Sequence, residues 1–159
     1  MNSLLTWAAA GICLIAALRD LFWRQIDNSL VLLLLLLWGG FAMLRQSGWD
    51  FVCGHVESGL LVFLAMLACY CFGWIGGGDV KLAAPVFLWS GLGHLRPILF
   101  IVAMTGLLLA LLGVAERFLP KSVRRVLSPF SAERGVPYGV ALAAGGIVAI
   151  LASMAEGQA

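Results

Sequence analysis

"SGLLVFLAMLACYCFGWIGGG" runs from Ser58 to Gly78 without a charged residue, and the residue that follows is Asp79. A hydrocarbon core about 30 Å thick takes roughly 20 consecutive apolar residues to cross as a helix. This stretch meets that length, and it has company. Uncharged runs also cover Met1–Leu18, Asn28–Leu44, Leu82–Leu95, Pro97–Ala115 and Gly135–Ala155. The Leu82–Leu95 run is short, and it spans only if Lys81 snorkels at its edge. In lipid only helices and closed barrels satisfy every backbone polar group, and strand-type alternation is absent here. The sequence therefore predicts an all-α polytopic membrane protein with six transmembrane helices, one domain over residues 1–159.

Composition points the same way. Of the 159 residues, 62% are hydrophobic and 11% charged, with a mean hydropathy of +1.03. A soluble domain carries about a quarter charged residues, so polar surface is too scarce here to coat a globule in water. No nucleic-acid partner is expected. The first run lacks the basic segment that opens a secretion signal, and basic residues follow it instead. It is read as a first span entering from outside.

Lys and Arg in the connecting loops set orientation. Arg19, Arg24, Lys81, Arg117, Lys121, Arg124, Arg125 and Arg134 fall in odd-numbered loops, while only Arg45 and Arg96 fall in even ones. The odd loops should face the cytoplasm, with both termini outside. The basic segment "RFLPKSVRRVLSPFSAER" from Arg117 would suit anchoring to anionic inner-leaflet lipid as a short interfacial helix.

Other chemistry-bearing residues read plainly. Cys13, Cys69 and Cys71 lie in spans as small apolar residues, and "CYC" at 69–71 lacks the paired Cys-x-x-Cys spacing of a zinc site. Neither metal nor cofactor is expected. His55 and His94 fall near outer loops and are read as ordinary loop histidines. The six tryptophans lie mostly toward span ends, as an interfacial belt.

The acids are the functional question, because a carboxylate at a membrane rim is costly. Asp20 closes the first span in "AALRDLFWRQIDN" and Asp79 opens the fourth in "GGGDVKL". Both should sit at the cytoplasmic edge, at similar depth. Asp27 reads as solvated, Asp50 and Glu57 as outer-loop residues, and Glu116 and Glu133 flank the basic fifth loop. Two facing carboxylates cannot comfortably both ionise, so their titrations couple. Such a pair can hold a water, the ionised acid taking its proton while the protonated one polarises a carbonyl. Gly76, Gly77 and Gly78 would let backbone approach closely and interrupt the helix ahead of Asp79. A simple turn with Asp79 as helix N-cap is the plainer alternative.

"GGGD" at 76–79 resembles the Gly-x-Gly-Asp motif of intramembrane aspartyl proteases, and "GGGDVKL" resembles the type IV prepilin peptidases in particular. "RDLFWRQIDNSL" from Arg19 is similar to that family's first aspartate motif, an Asp followed by basic residues and Ile-Pro-Asn. "VPYGVALAAGG" at 136–146 resembles its Pro-Tyr-Gly opening of the last span. The small size resembles the short Tad/Flp-pilus branch, the CpaA/TadV-like peptidases. Asp27 departs from the pattern, standing where the family usually has proline; Ile26 and Asn28 beside it fit.

What the resemblance implies is an aspartic endopeptidase that removes the leader of type IV (Flp-like) prepilins at the cytoplasmic face of the bacterial inner membrane. Asp20 and Asp79 match its catalytic aspartates, Gly76 and Gly78 its fixed glycines, and Lys81 the lysine after them. Gly76, Gly77, Gly78, Lys81 and Asn28 would bind substrate or support the site. The expected partners are a prepilin or pseudopilin substrate, membrane lipid and other pilus or secretion machinery. The paired-cysteine domain of larger methylating relatives has no room here, so peptidase activity is expected without methylation being assumed. Two rival classes remain: a proton- or cation-coupled transporter, since paired membrane carboxylates can relay ions, and a non-catalytic pilus-assembly subunit.

Overall fold

The computed structural model describes residues 2–46, 48–116 and 135–156. Among them the chain is all helical: α1 (Asn2–Trp23), α2 (Asn28–Leu44), α3 (Trp49–Cys71), α4 (Gly77–Ala115) and α5 (Tyr138–Glu156). By length and composition α1, α3, α4 and α5 can each cross a membrane, while α2 is a shorter apolar helix. At 1.5 Å per residue, its 17 residues rise about 26 Å.

Apolar side chains point outward as well as inward. Leu4, Met43, Phe100 and Leu111 are more than half exposed, which water would penalise and lipid does not. The interior packs large side chains such as Trp89, Phe87 and Leu34 beside small residues that let helices approach. A Cβ added at Gly145 would strike Val102 Cγ2 at 2.5 Å, and one at Gly59 would meet the Ala84 carbonyl at 3.0 Å. Ala9, Cys13, Ala16, Ala141, Ala143 and Ala149 are buried in the same interior. Cys13 behaves as the small apolar residue expected of it.

Register follows from these contacts. Cys13 touches Gly146 and Asp20 touches Gly139, so α1 and α5 are antiparallel. Along α4 the pairing reverses. Val86 lies at Gly146 and the Trp89 carbonyl accepts from Ser153 Oγ at 3.3 Å, both numbers rising together. Beyond the break, Ile98 and Val102 lie at Gly145 and Gly106 lies at Tyr138 and Ala141, now running oppositely. The chain doubles back at Gly91, the one non-helical residue inside α4 (φ 60°, ψ 172°). The sequence places that turn at Arg96, between the Leu82–Leu95 and Pro97–Ala115 runs. It comes five residues earlier, at a glycine that adopts this backbone freely, and Pro97 is tolerated near the start of the second arm.

A turn inside an apolar mass leaves carbonyls without helical donors. Here side chains supply them. Ser90 Oγ donates to Phe87 O at 2.9 Å, Ser153 Oγ to Trp89 O, and His55 Nδ1 lies 2.7 Å from Leu88 O. Since a carbonyl only accepts, Nδ1 carries the proton, and the 3.4 Å approach of Trp38 Nε1 to the same nitrogen is a contact between two donors rather than a hydrogen bond. His55 is thus a buried core residue that caps the turn, and not the loop histidine read from sequence. Trp89 is buried too, donating to Leu34 O at 3.2 Å, and Trp38 packs beside His55. Trp7, Trp23, Trp49 and Trp74 stay exposed, so four of six fit a belt.

The third span also shifts. It occupies Trp49–Cys71, taking in Asp50 and Glu57 as exposed helix residues, and stops short of Gly78. Gly73, at φ +74°, receives the turn. Its N–H donates to Tyr70 O at 2.8 Å and that of Trp74 to Cys69 O at 3.0 Å, the paired bonds of a Schellman C-cap. The basic segment from Arg117 to Arg134 and Glu133 lie outside the described residues.

Candidate active site

Helices of alternating direction bring five ends together: the C-terminal ends of α1 and α3 and the N-terminal ends of α2, α4 and α5. Asp20 stands one turn before the end of α1 and is 6% exposed. Its Oδ2 has no hydrogen-bond partner among the described residues. The first turn of α5 presses on it: a Cβ on Gly139 would lie 2.7 Å from the Asp20 Cγ. The Gly139 and Val140 N–H groups face the carboxylate. Val140 N–H is shared with Pro137 O at 3.1 Å, whereas the Gly139 N–H, second in its helix, has no intrahelical acceptor. Gly139 is therefore the cleaner donor.

Asp79 is half-buried, the third residue of α4, whose N-cap is Gly76. It is not the N-cap that the plainer sequence alternative makes it. From the third position an acid can reach back to the N-cap N–H, one half of a capping box. The Gly76 N–H does face the Asp79 carboxylate. The glycines therefore do not all interrupt the helix: Gly76 caps it, and Gly77 and Gly78 form its first turn. All three pack closely, Gly76 the most tightly. An added Cβ would meet Asp79 Oδ2 at 3.3 Å from Gly76, the Tyr70 ring at 3.4 Å from Gly77 and Ile26 at 3.5 Å from Gly78.

The two acids act on one another. Asp20 and Asp79 lie within electrostatic reach, and the Arg24 guanidinium reaches both. Close carboxylates couple their titrations, and a nearby cation keeps the pair from expelling its charge. Arg24 reads from the sequence only as a topology signal, and Gly139 only as part of a resemblance. Nothing in spacing alone places either at the acids.

Next to Asp79 opens a polar groove of about 440 Å³ lined by Arg24, Gln25, Ile26, Asp27, Asn28, Gly78 and Lys81. Lys81 Nζ donates to Asn28 Oδ1 at 3.1 Å, tying the start of α4 to the start of α2. Two of the residues expected to support the site thus meet as a pair. The bond is exposed, worth about 1 kcal/mol or less. Asn28→Ala and Lys81→Ala should each lower cleavage only a few-fold, and the double variant no more than the larger single; additive losses in steady-state rates would show that they act separately.

Asp27, the departure from the family's proline, has φ −71° and ψ 137° at the N-cap of α2, a conformation proline adopts. Its carboxylate pairs with Arg19 Nη1 at 2.7 Å, with both side chains over a third exposed. Such a pair contributes about 0–1 kcal/mol. Restored chain stiffness contributes a similar amount, so Asp27→Pro should change thermal stability and cleavage rate little. A large loss of either would show that the ion pair itself holds the loop.

Among the described residues no cluster of three or more His, Cys, Asp or Glu could hold a metal ion. The chain matches the type IV leader peptidase family model over residues 7–111, more than half its length. The chain belongs to the type IV leader peptidase family. The matched region holds Asp20, Asn28, Gly76 to Gly78, Asp79 and Lys81, and ends before Gly139. Membership makes it a leader-peptidase-like protease, and its apolar helices suit a multi-pass membrane protein. No curated protein and no solved structure matches the chain.

Proposed function

We propose that this leader peptidase is an aspartic endopeptidase that cleaves type IV (Flp-like) prepilins at the cytoplasmic face of the inner membrane. One observation carries the reading. Asp20 and Asp79, 59 positions apart, lie at one end of the bundle within electrostatic reach. Sharing one proton, such a pair can hold a water. The ionised carboxylate removes a proton from it as it attacks the scissile carbonyl, while the protonated one polarises that carbonyl's oxygen. The proton then passes to the leaving amine. No covalent intermediate is needed.

Geometry favours a membrane substrate. A prepilin helix lying in the bilayer with its leader inside would bring its scissile bond to the rim, where both acids stand. A helical substrate hides its carbonyls, so the bond must first be extended, and the groove beside Asp79 offers polar partners to an extended segment. Six crossings, counting α2 and both arms of α4, would put both termini outside, in keeping with the bias of Lys and Arg toward odd loops. An ion carrier would instead place its acids near the midplane.

The decisive experiment is cleavage of purified prepilin by the protein reconstituted in liposomes. A shortened product beginning directly after the leader is expected. An intact substrate, with proton or cation flux in its place, would overturn the proposal.

A further inference from the structure

The start of α5 lies outside the family match, yet it forms a wall of the site. Asp20 is buried with Oδ2 unpartnered among the described residues. Gly139 approaches so closely that even a methyl group there would sit 2.7 Å from Cγ, 2.8 Å from Cβ and 2.8 Å from Oδ2 of Asp20. Cβ atoms do not come that near one another, so either α5 or the aspartate would have to move. A move of about 1 Å at a reacting group can cost about a hundredfold in rate.

Resting on the aspartic-protease reading, we infer that Gly139 is a positioning residue for hydrolysis. It has two parts to play. Its missing side chain lets the helix end close on Asp20, and its N–H, which faces that carboxylate, holds its orientation. The effect passes through Asp20 and not through contact with the peptide. It should therefore appear in kcat and not in KM.

The test uses the full-length protein in liposomes with purified prepilin. Gly139→Ala should lower kcat about a hundredfold with KM for prepilin little changed. Gly11→Ala, on the same helix as Asp20 but with open space around its added Cβ, should leave both constants at their wild-type values. To remove the donor without adding bulk, glycolic acid incorporated at position 139 replaces the N–H by an ester oxygen. Loss of one hydrogen bond to a charged group corresponds to roughly a tenfold or greater fall in kcat. Wild-type kcat in both position-139 variants, or a fall matched by an equal rise in KM, would overturn the inference. Failure of Gly139→Ala to insert leaves the ester variant to decide.

An inactive wild type would bring down the protease reading and leave a separate measure of Gly139. The double variant Asp20→Cys with Asp79→Cys, its four native cysteines replaced, should oxidise to a disulfide readily. Adding Gly139→Ala should make that oxidation poor. Equal cross-linking in the two backgrounds would refute the positioning role.

Discussion

Asp20→Asn and Asp79→Asn should each abolish prepilin processing, with residual rates about a thousandfold or more below wild type, within the range attributed to a positioned proton-transfer group. Asparagine keeps the shape of aspartate and its amide oxygen can accept the same backbone bonds. At position 20 it would take the Gly139 N–H, and at position 79 the Gly76 N–H. Insertion, helix content and thermal stability should stay close to wild type. What the amide cannot do is share a proton with its neighbour. Quantifying mature pilin by mass spectrometry separates these effects. Cleavage at more than about a tenth of the wild-type rate in either variant would contradict a role worth two to four orders of magnitude. Loss of ion flux with unchanged cleavage would move the acids into a transport role.

Gly91→Ala should be the most damaging substitution away from the acids. With φ at 60° and ψ at 172°, the residue occupies a region essentially restricted to glycine, costing a side-chain-bearing residue about 1–3 kcal/mol. The added Cβ would also stand 2.7 Å from His55 Nε2. That ring caps Leu88 O and stacks on Phe51 at 4.0 Å between centroids, so it cannot withdraw cheaply. Thermal unfolding in detergent should begin several degrees lower, since about 1 kcal/mol shifts the midpoint by 2–4 °C in a chain of this size. Pairing the change with His55→Ala tests the cause. Removing the ring relieves the collision but not the backbone strain, and it strands the Leu88 carbonyl, so recovery should be partial at best. A Gly91→Ala protein as stable as wild type would mean that the turn has a second geometry open to it.

Legibility differs sharply between these two places. Asp79 announces itself, because a charge directly after a long apolar run and three glycines has few explanations in lipid. Lys81 and Asn28 are each readable as support, though their bond to one another is not, being a contact across 53 positions. Gly91 gives no comparable signal. It stands among "LWSGLGH", two residues from Gly93, and spacing cannot say which glycine takes the positive φ. Charge suggests an interface at Arg96 instead, and the turn is misplaced by five residues. His55 misleads for a related reason: proximity to charged Asp50 and Glu57 suggests a loop, whereas the carbonyls released at the α4 turn draw its imidazole into the core.

Hydrophobic run lengths by themselves determined that this chain is helical and apolar enough for a membrane, because an unbroken absence of charge leaves the backbone no solvent but itself. The order of its motifs determined the family. Only the packed helices decided that Asp20 and Asp79 come within electrostatic reach of one another, that Gly139 closes on Asp20 and that α4 folds back on itself. Those are distances between residues remote in sequence, fixed by which small side chains let two helices touch.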